Sequence, residues 1–397
     1  MPNRASAREP VRRTDCGRTV RSTRRSPEHE EGIVDVIRTI PRTDRTAGRT
    51  VSEFSELAQK VRDSGLLRRR YGYYWSKLIG LPVLLAACLV AFAVIGDTWW
   101  QMFTAAVFAV VFTQIAFLGH DAAHRQIFVS GRWNDWTSLV LGDLLVGMSY
   151  GWWQHKHTRH HANPNKIGAD PDIELPVIVV APEQRARPRG RVIQWLRAHQ
   201  GIFFFPILLF EGVSLHASGI RRVAVREHLD RRWVETAFML VRIVGFAVLV
   251  FLVLSPGVAF AFLGVQLGLF GFYMGISFAP NHKGMPIVPR DMKLDFLHRQ
   301  VMMSRDVRGG RVLDVAMGGL NYQVEHHLFP SMPRPHLRRA APIIAEYCRE
   351  HGVPYASVGL LASYAIVVRY TNRVGLGERD VFTCPLVDQR SFVGGRA

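Results

Sequence analysis

Four apolar stretches, each close to the roughly 20 residues that a helix needs to cross a bilayer, decide what this chain can fold into. They run from about Leu78 to Ile95, Met102 to Leu118, Thr236 to Leu254 and Val258 to Phe278. Within hydrocarbon a backbone must satisfy its own polar groups, so each stretch is predicted to be a helix. They come as two hairpins, closed by Gly96-Asp97-Thr98 and by Ser255-Pro256-Gly257. Neither turn carries Lys or Arg, whereas Arg68–Arg70, Arg221-Arg222 and Arg231-Arg232 flank the opposite ends. Positive loops mark the cytoplasmic side. Both termini and the long segments outside the hairpins are therefore expected there.

Residues 1–51 are rich in Arg, Ser, Thr, Pro and acidic side chains. They offer too little apolar surface to repay ordering, so a disordered basic tail is predicted. Residues 52–360 read as one membrane-embedded domain and 361–397 as a C-terminal tail. After Ser52, the spacing of Phe54, Leu57 and Val61 predicts an amphipathic helix. Trp136–Trp153 and Gly201–His216 are apolar but broken by Asp143 and Gly151, or by Pro206 and Glu211, and are expected as interfacial helices. Arg338–Arg349 is amphipathic and belongs to a polar cap after the last span. The fold class is thus an all-α integral membrane protein: four transmembrane helices in two hairpins, interfacial helices and a cytosolic histidine-rich cap. The formal net charge of +18 comes without a zinc finger, an RNP motif or a helix-turn-helix pattern, so topology explains it better than nucleic acid does. Cys16, Cys88, Cys348 and Cys384 show no ligand-like spacing.

The histidines are not scattered. His157, His160 and His161 form an His-x-x-His-His cluster, and residues three and four apart share a helix face. His120-Asp-Ala-Ala-His124 follows the second span with both rings on one face. Gln323-Val-Glu-His326-His327 comes after the fourth span, and His282 stands at that span's mouth. Neutral imidazole is the commonest side-chain metal ligand. One metal needs only three or four protein ligands, so eight histidines from four segments suggest two metals. Imidazole-rich sites with open positions suit iron and oxygen chemistry, with zinc and copper left open by ligand type alone. A lone histidine near a membrane interface is usually an amphipathic surface residue. That is the expectation for His29, His155, His199, His216, His228, His298, His336 and His351. Asp121, Asp170, Asp172, Glu325, Asn163, Asn165, Asn281 and Asn321 are candidate partners for the outward N–H of a ligating ring. Spacing does not pair them.

At these residues the chain resembles the membrane-bound fatty acid desaturases, whose signature is three histidine boxes on four membrane helices. The boxes here are His120–His124, His157–His161 and Gln323–His327, and the match runs from about Phe54 to Tyr355. Gln323 stands where many relatives have His. With Asn321-Tyr-Gln-Val-Glu-His-His-Leu-Phe-Pro330 it is similar to the front-end branch and to related actinobacterial acyl-CoA desaturases. The resemblance implies two irons, O2 as co-substrate, and a double bond placed in an acyl-CoA or a membrane acyl lipid. It implies His120, His124, His157, His160, His161, His282, His326 and His327 as ligands. Gln323 would be a weak ligand or, with Asp121, Glu325 and Asn281, a support to them. The chain has no His-Pro-Gly-Gly haem-domain signature, so electrons are expected from a separate ferredoxin or NAD(P)H-dependent reductase, at a bacterial plasma membrane. An acyl tunnel is expected between the second and fourth spans. The competing expectations are a diiron lipid hydroxylase on the same scaffold and a zinc-dependent membrane hydrolase.

Overall fold

The structure, a computed structural model, describes residues 47–174, 178–181, 184, 190–225 and 229–376. The rest of the expected N- and C-terminal tails, with His29 and His228, lies outside them. Helix α1 (Ala47–Asp63) is the amphipathic helix expected after the basic segment, although it begins ahead of Ser52. The first hairpin is α2 (Tyr71–Ile95) and α3 (Gln101–Ala123). Next come α4 (Gly131–Leu139), which runs straight into a π-helical turn at Val140–Val146, and α5 (Tyr150–Ala162). Helices α6 (Arg191–Ala198), α7 (Gln200–Leu208) and α8 (Glu211–Ala224) lead to the second hairpin, α9 (Arg232–Val253) and α10 (Pro256–His282). The cap holds α11 (Phe296–Met302), β1 (Asp306–Arg308), α12 (Arg311–Ala316), α13 (Gln323–Leu328), α14 (Arg334–Glu350), β2 (Ser357–Gly359) and α15 (Leu360–Leu376). The two strands pair in parallel, with Asp306 opposite Ser357.

Helices α2, α3, α9 and α10 are long and apolar enough to cross a membrane, as expected. The turns that close the two hairpins are tied together, because Asp97 Oδ1 accepts from both Ser255 N and Oγ at 3.0 Å. Pro256 opens α10 at a position where its missing N–H costs nothing. Lipid is as apolar as a leucine side chain, so these helices associate through close packing rather than hydrophobic drive. Phe92, Phe108, Phe112, Phe246 and Phe262 interlock with ring centroids 5.1–6.4 Å apart, joining all four spans. Where α8 crosses α10 the backbones touch: a Cβ on Gly271 would lie 2.1 Å from Gly212 N. The most apolar window of α3 is 56% buried, against 11% for α2 and α9. Helix α3 is therefore the central post, packed on α10, with α2 and α9 facing lipid.

Three expectations need correction. Trp136–Trp153 is not one interfacial helix; its π-helical turn is tucked between α3 and α9. The carbonyls at the end of that turn find donors inside the protein. Arg242, midway along α9, donates to Leu145 O at 2.8 Å and lies over the Phe112 and Phe246 rings. His216 Nε2 is 3.2 Å from Val146 O. Gly201–His216 is likewise two helices, α7 and α8, bent by 67° and packed on α10. Finally, the expected C-terminal tail is helix α15 as far as Leu376. Its Thr371 carbonyl accepts from Gln200 Nε2 at 2.6 Å, and Tyr364 donates to Ile276 O at 2.8 Å. Val367, Tyr370 and Val374 lie buried at helical spacing and hold it against α7.

Candidate metal centre

Ser149 starts α5 by accepting the Trp152 N–H on its side-chain oxygen at 3.1 Å, the local capping that fixes the phase of the helix behind it. From there the helix presents His157, His160 and His161 toward the cap. Trp153 stacks on His157, with centroids 4.2 Å apart, and limits how that ring can turn. His120 projects from the last turn of α3, His124 caps it, His282 ends α10, and His326 and His327 lie in the short helix α13.

The structure brings all eight histidines together, in two groups. One ring nitrogen from each of His120, His124, His157 and His326 lies within 4.8 Å of the others, and the same holds for His160, His282 and His327. His161 bridges the groups: its Nε2 is 3.0 Å from His157 Nε2, and its ring stacks on His327 at 4.2 Å. Other Nε2 atoms face one another directly, His157 to His124 at 2.9 Å and His160 to His282 at 3.3 Å. Nitrogens about 2.1 Å from a common ion are separated by roughly 3.0–3.4 Å. Without a proton or a cation between them such lone pairs repel. Among the described residues, the Nε2 atoms of His120, His326 and His327 are buried without a hydrogen-bond partner. Facing imidazoles and orphaned nitrogens are the donor set that a pair of metal ions fits.

The outward ring nitrogens decide which lone pair faces inward. His160 Nδ1 donates to Asp170 at 3.0 and 3.1 Å and lies 3.4 Å from Asp172. His282 Nδ1 donates to Met303 O at 3.0 Å. His327 Nδ1 donates to Gln300 Oε1 at 2.9 Å, and Gln300 Nε2 donates in turn to His161 O at 2.9 Å. Burial, then neighbouring rings, holds His124, His157, His161, His326 and His327 well below the ordinary histidine range. These five are neutral near pH 7 and available as ligands. Burial also pulls His160 down, but Asp170 and Asp172 outweigh it and raise its pKa.

Gln323 lies at the smaller group, its Nε2 2.9 Å from His282 Nε2 and its Oε1 accepting from Asn281 Nδ2 at 3.3 Å. Asn165 braces the same histidine from behind, donating to His282 O at 3.2 Å. Asp172 pairs with Lys156 at 2.6 Å. Other candidates turn away. Glu325 accepts from Tyr355 at 2.8 Å, Asn321 donates to Asp314, Asn163 ends α5, and Asp121 pairs with Arg334 at 2.8 Å. His155 is exposed as expected, and His298 pairs with Asp295. His336 and His216 are not surface residues: His336 is buried against Leu66 O at 2.6 Å, and His216 serves the π-helical turn. Sequence spacing offered no signal for Gln300, Arg334 or the Met303 carbonyl, whose roles exist only once the cap has folded over α5.

A narrow cleft of about 40 Å³ opens beside His120, between α3 and α10, with Gly142, Val146, Trp153, Met274 and Phe278 in its walls. The acyl tunnel was expected between these two helices with His120 and His282 at its ends; of that pair only His120 lines this cleft. A helical membrane protein with a buried histidine cluster able to hold metal and an apolar cleft beside it is the class that fold and site define. The fatty acid desaturase family model matches residues 97–359. The chain belongs to that family and is an oxidoreductase that desaturates fatty acyl chains. Among similar proteins, a Delta(8)-fatty-acid desaturase of Helianthus annuus is 27% identical over 342 residues, covering 83% of this chain and 74% of its own. A Delta(6)-fatty-acid desaturase of Caenorhabditis elegans is 29% identical over 330 residues, covering 80% and 73%. An acyl-lipid (9-3)-desaturase of Physcomitrium patens is 28% identical over 332 residues, covering 82% and 63%. The Delta(8) and Delta(6) relatives are front-end types, the branch to which the Gln323 box was similar.

Proposed function

We propose that this chain uses O2 and two externally supplied electrons to place a double bond in a fatty acyl chain, at two irons held by its eight histidines. His120, His124, His157 and His326 would hold one ion and His160, His282 and His327 the other, with His161 between them and Gln323 beside His282. The observation that carries this assignment is the pair of histidine groups joined through His161, with His120 in the wall of an apolar cleft. Two hydrogens leave adjacent methylenes, and O2 with two further protons and two electrons becomes two waters. An unactivated C–H bond gives acid–base groups no handle, so the bound metals supply the oxidising chemistry.

The protein's own task is placement. Helices α3 and α10 carry both the cleft and the ligands His120 and His282, so methylene pair and metal site share one rigid support. Trp153 walls the cleft while fixing His157, and Phe278 excludes water near His120. The Delta(6) and Delta(8) names of the relatives support a bond near the carboxyl end of the chain. The carrier is an acyl-CoA or a membrane acyl lipid, and the electron donor a separate ferredoxin or NAD(P)H-dependent reductase. The arginines at Arg68–Arg70 and Arg221-Arg222 support a cytoplasmic metal site, and the membrane is taken to be a bacterial plasma membrane.

Expression in a host of known lipid composition tests this. New acyl double bonds, located by mass spectrometry, are expected with wild type and absent with His160→Ala. An oxygenated lipid without new unsaturation would overturn desaturation, and one zinc with no iron in the purified protein would overturn the diiron site.

A further inference from the structure

The two histidine groups are held in different ways. In the smaller group each ring has its own outward tether: Asp170 for His160, Met303 O for His282 and Gln300 for His327. In the larger group, among the described residues, neither His120 nor His326 has a ring hydrogen bond to a carboxylate or a carbonyl. The nearest approach is Asp121 Oδ1, 3.9 Å from His120 Nδ1 and beyond bonding distance. These rings depend on the segments that carry them, the end of α3 and the short helix α13, staying at a fixed separation.

One side chain spans that gap. Arg334, at the start of α14, is nearly buried and reaches back to α3, where its Nη2 lies 2.8 Å from Asp121 Oδ2 and donates to Phe117 O at 2.6 Å. Phe117 and Asp121 are one helical turn apart and bracket His120. The Arg334 backbone N–H is shared between Tyr74 Oη and Gln126 Oε1 at 3.0 Å each, and Gln126 Nε2 donates to Pro330 O at 2.9 Å. The segment just past His124 is thus tied to the segment just past His327. Room for the guanidinium is built in, because Gly319 sits at φ +76 and a Cβ there would lie 2.5 Å from Arg334 Cγ.

We infer that Arg334 is a positioning residue for the four-histidine group, holding the first histidine segment in register with the third so that His120 and His124 meet His326. The inference rests on the two-metal assignment above. It separates the groups: loss of Arg334 disturbs the larger one first, since the smaller keeps its own tethers.

The test is iron titration of the full-length chain in detergent or nanodiscs, with thermal unfolding of the metal-free protein alongside. Wild type is expected to bind two ions. Arg334→Ala should weaken one of them about 10–100-fold, the usual scale for losing an outer support, and Arg334→Lys should restore most of it. In a His282→Ala background, which leaves only the larger group, adding Arg334→Ala should weaken the remaining ion by the same about 10–100-fold. In a His326→Ala background it should change little. Should Arg334→Ala not accumulate as folded protein, Asp121→Asn removes the ion pair at nearly constant shape and carries the same expectation. Two sites of unchanged affinity in Arg334→Ala, or equal weakening of both, would overturn the assignment. A wild-type chain that binds a single ion would overturn the two-metal site instead.

Discussion

His160 is the ring whose surroundings are most fully built. Asp170 accepts its Nδ1–H together with the backbone N–H groups of Asn165 and Asp172 at 2.7 and 2.9 Å, so the carboxylate itself has little freedom to move. Removing the ring leaves that buried carboxylate facing an empty site. His160→Ala is therefore expected to abolish desaturation while the protein still inserts in the membrane, because no span depends on it. Asp170→Ala should lower metal affinity about 10–100-fold. Exposed His155, one position from Lys156 and off the ligand face, should tolerate Ala within a few tenths of a kcal/mol of stability. Acyl product yield and metal content of membranes check all three; an active His160→Ala protein would remove this ring from the site. The spacing of the boxes made the ligands readable, since helical periodicity links neighbours in sequence to neighbours in space. The supporting residues were not readable in that way. Glu325 adjoins His326 yet faces Tyr355, as successive helix positions point apart. Gln300, distant from every box, holds His327.

At the scale of elements, the π-helical turn at Val140–Val146 supplies one wall of the cleft through Gly142 and Val146. Asp143 and Gly151 interrupt this stretch and made it read as an interfacial helix rather than a span. Its destination against α3 and α9 was hidden, because it depends on Arg242 about a hundred residues later in the chain. A charged side chain within a span is costly unless paired with polar groups, and here the partner is the Leu145 carbonyl. Arg242→Leu should leave that carbonyl without its donor at a cost of about 1–3 kcal/mol, seen as a lower unfolding temperature in detergent. Unchanged stability would mean that water reaches the turn. On the opposite wall, Met274→Trp should narrow the cleft and favour shorter substrates. Losing one buried methylene is worth about 0.8 kcal/mol, roughly fourfold in discrimination, so competition between acyl chains of different length should read it directly. The same profile as wild type would place the acyl chain elsewhere. Helix α15 carries a different lesson: the spacing of Val367, Tyr370 and Val374 was present in the sequence, but Arg369, Asn372 and Arg373 between them gave the stretch the look of a polar tail.

For the whole molecule, what matters is that four separate segments must reach one level of the membrane. Helices α3 and α10 run from the Asp97–Ser255 tie to His120 and His282, so the hairpin turns and the metal site occupy opposite ends of the same two helices. Hydropathy made the four long apolar spans legible, and the flanking arginines give their direction as an expectation. How the cap settles on the spans was not legible, because contacts such as Arg334 with Asp121 join residues far apart in the chain. The opposed ends give a direct test of topology. In a background with its native cysteines replaced by serine, Thr98→Cys lies exposed at a hairpin turn and Thr158→Cys lies exposed beside the histidines. In sealed right-side-out vesicles an impermeant thiol reagent should label the first at once and the second only after the membrane is opened. Reaction of Thr158→Cys from outside would invert the topology and move the electron donor to the other face. Labelling of both from one side would contradict the two membrane hairpins themselves.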